Sequence, residues 1–168
     1  MGGTWGLGMF YRKRMSERLE SLRVMIRILE MIRSEISYGN ADLLECFRNI
    51  SRRMEDDCNE VISFQEVLDR TAGQAEERNG EDLSSILKSE LEKAASDHSL
   101  NYRDIDIFTS FMGKKGFSDR ILQTKMIEMS KAQLEERSDD LKTNIRERGR
   151  MAVGLGILGG ILLVIILF

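Results

Sequence analysis

The chain has 168 residues, 32% of them Asp, Glu, Lys or Arg, and no proline. That length suits one domain of ordinary size plus a membrane segment, and a charged, proline-free chain rich in Leu, Ile and Met favours helix, because those side chains lose little entropy there. The net charge of −3 is unevenly spread: residues 1–39 carry 7 basic and 4 acidic side chains, 40–119 carry 10 and 18, and 120–150 carry 8 and 6. An acidic middle argues against nucleic acid as a partner, which needs a basic face.

No stretch alternates apolar and polar residues long enough to make a half-buried strand. The expected fold is all-α: an antiparallel bundle of about six helices, the last continuing into a C-terminal transmembrane helix. Three segments are expected: a remnant of an N-terminal membrane helix at 1–11, a cytoplasmic helical domain at 12–149 and a transmembrane helix at 150–168.

In chain order, Met1 to Tyr11 reads MGGTWGLGMFY and is followed by Arg12-Lys13-Arg14. The run is apolar but too short to span a bilayer. Its aromatic residues beside a basic cluster match the cytoplasmic border of a membrane helix. From Arg12 to Tyr38, Met15, Leu19, Leu22, Ile26, Leu29 and Ile36 recur at helical spacing, widened by Met25 and Ile32 to a core-facing band. Arg33 falls in the seam, which argues against a strict coiled coil. Gly39 ends this helix and Asn40 is placed to cap the next, over 41–56, with Leu43, Leu44, Phe47, Ile50 and Met54 inward.

A third helix is predicted over 59–72, stopped by Gly73. Asn79-Gly80 marks a turn before a fourth at 82–97. A fifth runs from Tyr102 to Met112 and is closed by Gly113 and Gly116. Ser118 or Asp119 caps the last helix, where Ile121, Leu122, Met126, Ile127 and Met129 are expected to pack. Beyond Leu134 the apolar residues thin out, so a polar stalk is expected to lead into the membrane.

The ending, MAVGLGILGGILLVIILF, has no charge, and twelve of its eighteen residues are Leu, Ile, Val or Phe. As a helix it would be about 27 Å long, close to the hydrocarbon thickness of a bilayer. Arg146, Arg148 and Arg150 precede it, and positive flanks stay in the cytoplasm. Gly156 and Gly160 form a small-xxx-small pair that permits close helix approach.

Catalytic signals are weak. His98 is the single histidine and reads as a surface residue. Cys46 and Cys58 lack metal-ligand spacing and read as reduced core thiols. Phosphate-loop, HExxH and GxSxG patterns are missing from the sequence. We therefore expect a non-enzymatic protein with no cofactor, metal or small-molecule substrate. The acidic groups that include Asp56, Asp57, Glu76 and Glu77 are candidates for docking a basic partner.

Three segments in order, EISYGNADL from Glu35 to Leu43, FMGKKGFSD from Phe111 followed by Gln123, and the apolar ending, resemble the stage III sporulation protein AB family over nearly the whole chain. The chain departs from the family pattern in Asp42 just before Leu43, in Lys115-Gly116 where Leu-Gly is usual, and in the short N-terminal apolar run. The resemblance implies Glu35, Tyr38, Gly39, Leu43, Gly116, Asp119 and Gln123 as fold-specifying positions rather than catalytic ones. It also implies a scaffold similar to the cytoplasmic domain of type II secretion inner-membrane platform proteins. The implied setting is a channel complex between mother cell and forespore, in the outer forespore membrane facing the mother-cell cytoplasm. The implied partners are a cytoplasmic ATPase, stage III sporulation protein AA, and other membrane subunits. The alternative is a stand-alone tail-anchored adaptor that recruits a cytoplasmic partner to a membrane.

Overall fold

The computed structural model describes residues 3–39, 42–54, 62–77, 83–95, 100–112 and 120–167; the side chains of 3–12, 39 and 148–167 lie outside the described set. Six α-helices are present among the described residues: α1 (Gly3–Gly39), α2 (Leu43–Arg53), α3 (Phe64–Glu77), α4 (Leu83–Ala94), α5 (Tyr102–Thr109) and α6 (Arg120–Leu167). A 3-10 turn, Ser110–Met112, extends α5. Among the described residues there is no strand. Each helix packs on the next in sequence, with the 3-10 turn bridging α5 to α6, and α6 closes back on α1.

The apolar spacing of α1 becomes the spine of the core. Leu22, Met25, Ile28, Leu29, Ile32 and Ile36 are buried, and Met15, Leu19 and Ile26 pack at its margin. Arg33 turns out of the seam and pairs with Glu128 of α6 at 2.9 Å. One turn earlier Glu30 meets Lys131 at 2.5 Å. As numbers fall along α1 they rise along α6, so the two helices run antiparallel.

Several expected boundaries move. α1 starts at Gly3, not at 12, and runs unbroken through the basic cluster. Asp42, not Asn40, caps α2: its Oδ1 accepts from the Leu43 N–H at 2.8 Å. Gly73 does not stop α3, which continues to Glu77; a Cβ at Gly73 would meet nothing within 4 Å. Its cost in the helix interior is outweighed by the burial of Val67, Leu68, Thr71, Ala72 and Ala75 around it.

α6 departs most. Ile127 is buried and Met126 half-buried, but Ile121, Leu122 and Met129 point to solvent. The segment after Leu134 is not a bare stalk, because Leu134, Ser138 and Leu141 are buried and Ile145 packs against the same core. Small polar residues share this seam: Ser130 is buried and its hydroxyl lies 2.9 Å from that of Ser110. Among the described residues no helix is long and apolar enough to cross a membrane. The expected span falls on positions whose side chains are outside the described set, although the α6 backbone stays helical to Leu167.

Candidate functional site

The family-pattern residues that are described, Glu35, Tyr38, Gly39, Leu43 and Gln123, lie toward one end of the α1–α6 pair. Glu35 carries an ion pair to Arg53 of α2 at 2.6 Å. Tyr38 is 92% exposed in the last turn of α1. Gly39 is the last residue of α1, and Leu43 opens α2 half-buried against the core. Gln123 is buried on α6. Gly116 and Asp119 lie outside the described residues. Between the helices runs an open groove of about 520 Å³, lined by Ile36, Ser37, Arg120, Ile121, Thr124, Lys125 and Glu128.

Of the acidic docking candidates, Glu76 and Glu77 lie side by side at the end of α3. Asp56 and Asp57 lie outside the described residues. Glu76 is engaged by Arg48 of α2, which neutralises part of its charge, whereas Glu77 is exposed at the end of α3. Arg146 is exposed on α6; Arg148, Arg150, Gly156 and Gly160 are placed on the same helix by its backbone. Gly156 and Gly160, four apart, share one face of it.

A site that the sequence did not signal sits in the middle of the bundle. Asp104 of α5 is 0% exposed. Arg18 of α1 donates from Nε to Oδ2 at 2.7 Å and from Nη2 to Oδ1 at 3.1 Å. Arg137 of α6 donates from Nε to Oδ1 at 2.5 Å, and the Asn101 backbone N–H reaches Oδ2 at 3.2 Å. Three helices thus share one carboxylate. Asn101-x-x-Asp104 could be read as a helix start, since the two form a capping box. The arginines come from positions 86 and 33 residues away, which no local pattern reveals.

The ionisable groups with displaced pKa values are poor candidates for chemistry. Burial, helped by the nearby charges of Glu35, Asp42 and Glu45, pushes the Cys46 thiol up to about 11, so little reactive thiolate forms at neutral pH. Lys88 donates to Asp106 at 2.5 Å and lies 4.5 Å above the Tyr102 ring. The Asp106 hydrogen bond holds its ammonium well above the usual range, which makes it a weaker base catalyst and nucleophile. Glu90 of α4 accepts from Lys93 at 2.6 Å and Gln74 at 3.0 Å. The Lys93 contact, then Gln74, lower its pKa against the opposing effect of burial. Lys131 is raised chiefly by its hydrogen bond to Glu30. Among the described residues no group of three or more His, Cys, Asp or Glu could hold a metal ion.

A closed all-α bundle with a paired first and last helix is the class that these observations define. The family model for stage III sporulation protein AB matches residues 1–168, and the chain belongs to that family. A solved structure described as Stage III sporulation protein AB (SpoIIIAB) superposes with a TM-score of 0.62 at 20% identity, covering 77% of this chain and 97% of that one. That likeness supports the shared fold. No curated protein sequence matches the chain. The family assigns the protein to spore formation.

Proposed function

We propose that this chain is a non-enzymatic platform subunit of a membrane complex of the sporulating cell, linking a cytoplasmic ATPase to membrane components of a channel between mother cell and forespore. The observation that carries the reading is the antiparallel α1–α6 pair, fixed by Glu30–Lys131 and Arg33–Glu128. It directs the apolar start and the apolar end of the chain the same way. The run at 151–168 crosses the membrane, Gly156 and Gly160 face a neighbouring membrane helix, and the bundle stands in the cytoplasm behind the basic flank. Its far end, with Tyr38 and Ile121 exposed, is free to meet a cytoplasmic partner. Such an arrangement fits a scaffold similar to the platform proteins of type II secretion, located in the outer forespore membrane facing the mother cell.

Co-purification from sporulating cells in mild detergent tests the reading. The ATPase, stage III sporulation protein AA, or another channel subunit should be recovered with the tagged chain. Clean recovery of the chain with none of them counts against it.

A further inference from the structure

Two basic clusters stand at opposite ends of the sequence, Arg12-Lys13-Arg14 and Arg146 to Arg150. The antiparallel register brings them to one level. Glu30 faces Lys131; sixteen residues back along α1 and sixteen forward along α6 lie Arg14 and Glu147. Met15 and Ile145 both pack against the core at the corresponding point, where the described seam ends. Lys13, Arg14 and Arg146 therefore lie at one level along the helix pair, just beyond that seam, and all three are exposed.

The charge at this level is lopsided. Positions 12–17 and 145–150 hold six basic residues, Arg12, Lys13, Arg14, Arg146, Arg148 and Arg150, against two acidic ones, Glu17 and Glu147. Lys13 reaches Glu17 only at 3.8 Å, with its side chain 77% exposed, so that pair leaves much of the ammonium available. Both strands of the collar run directly into apolar sequence, at 1–11 and 151–168. Basic positions that border apolar helices fall at the level of lipid phosphates when those helices enter a membrane.

We propose that this collar selects anionic phospholipid headgroups over zwitterionic ones, so that the protein holds a shell of acidic lipid. The inference rests on the membrane reading given above. Each Lys or Arg at an anionic surface is worth about fivefold in affinity. Removing three should reduce the preference by on the order of a hundredfold.

The full chain, reconstituted in vesicles of mixed phosphatidylglycerol and phosphatidylcholine, is extracted in mild detergent, and its retained lipid is weighed by mass spectrometry. The wild type should be enriched in phosphatidylglycerol. The triple variant Lys13→Gln, Arg14→Gln, Arg146→Gln should lose most of that enrichment, while Lys125→Gln, at the far end, should match the wild type. Insertion is scored separately by resistance to alkaline extraction. A chain that stays inserted but retains both lipids in the vesicle ratio, or whose triple variant keeps the enrichment, overturns the collar alone. A chain that washes off at alkaline pH overturns the membrane reading and the collar with it.

Discussion

A carboxylate with no exposed surface survives as an anion only when donors replace the water it loses. Asp104 has four such donors: two from Arg18, one from Arg137 and the Asn101 N–H. Removing the carboxylate strands two arginines whose side chains are about a quarter exposed, 26% and 24%, so part of their charge can return to water. Asp104→Ala should lower the unfolding free energy by about 3 kcal/mol, the low end for breaking a buried ion pair, as read from urea denaturation. Glu90 offers the pH counterpart. Its folded pKa lies below the ordinary 4.5, so its contribution is complete above that value and is lost as pH falls through the folded value. Glu90→Gln should be about 1.5 kcal/mol less stable than the wild type at pH 7. That gap should narrow as pH falls below 4.5, and a gap constant with pH would refute the assignment.

At the scale of elements, the buried face of α1 was legible, whereas for α6 the start, the unbroken run and Met126–Ile127 were legible but most of the buried seam was not. The reason is what fills each seam. α1 buries Leu, Met and Ile at helical spacing, a pattern any apolar count detects. The described α6 seam mixes Ile127, Leu134 and Leu141 with Gln123, Ser130 and Ser138. Their small or polar character reads as solvent-facing until the partner helix is known. Ile121 mislead in the other direction, since it is apolar yet 81% exposed on the groove edge. The Asp104 clamp was illegible for a third reason: an acid on an eight-residue helix is ordinarily at the surface, and its partners are remote in sequence. Gly73 shows how tertiary burial overrides a local stop signal. It sits inside α3, exposed, with open space where a Cβ would go. Gly73→Ala should therefore stabilise the protein by about 0.5–1 kcal/mol, seen as a higher Tm in a thermal melt. A lower Tm would show that α3 needs the glycine.

Across the whole molecule, the pairing of first and last helices sets the plan. α1 has 37 residues and α6 has 48, so they would measure about 55 and 72 Å as regular helices. The shorter helices α2 to α5 fill one side, linked by Arg48–Glu76, Gln74–Glu90 and Lys88–Asp106. The result is a bundle with two distinct ends: one carrying Tyr38 and the groove, the other carrying the basic residues and both apolar termini of the sequence. On the function proposed above, that polarity would set one end of the bundle at a membrane and present the other to the cytoplasm.

The side of the membrane on which the bundle stands is the central claim, and labelling with a membrane-impermeant maleimide tests it directly. Single cysteines at Lys13, Lys125 and Arg146, placed in the full chain with Cys58→Ser, are probed in bacterial protoplasts; native Cys46 is buried and its thiol is held up to about 11. All three positions should stay unlabelled in intact protoplasts and react once the membrane is permeabilised. Labelling of any of them in intact protoplasts would contradict a cytoplasmic platform whose first and last helices enter one membrane from the same side.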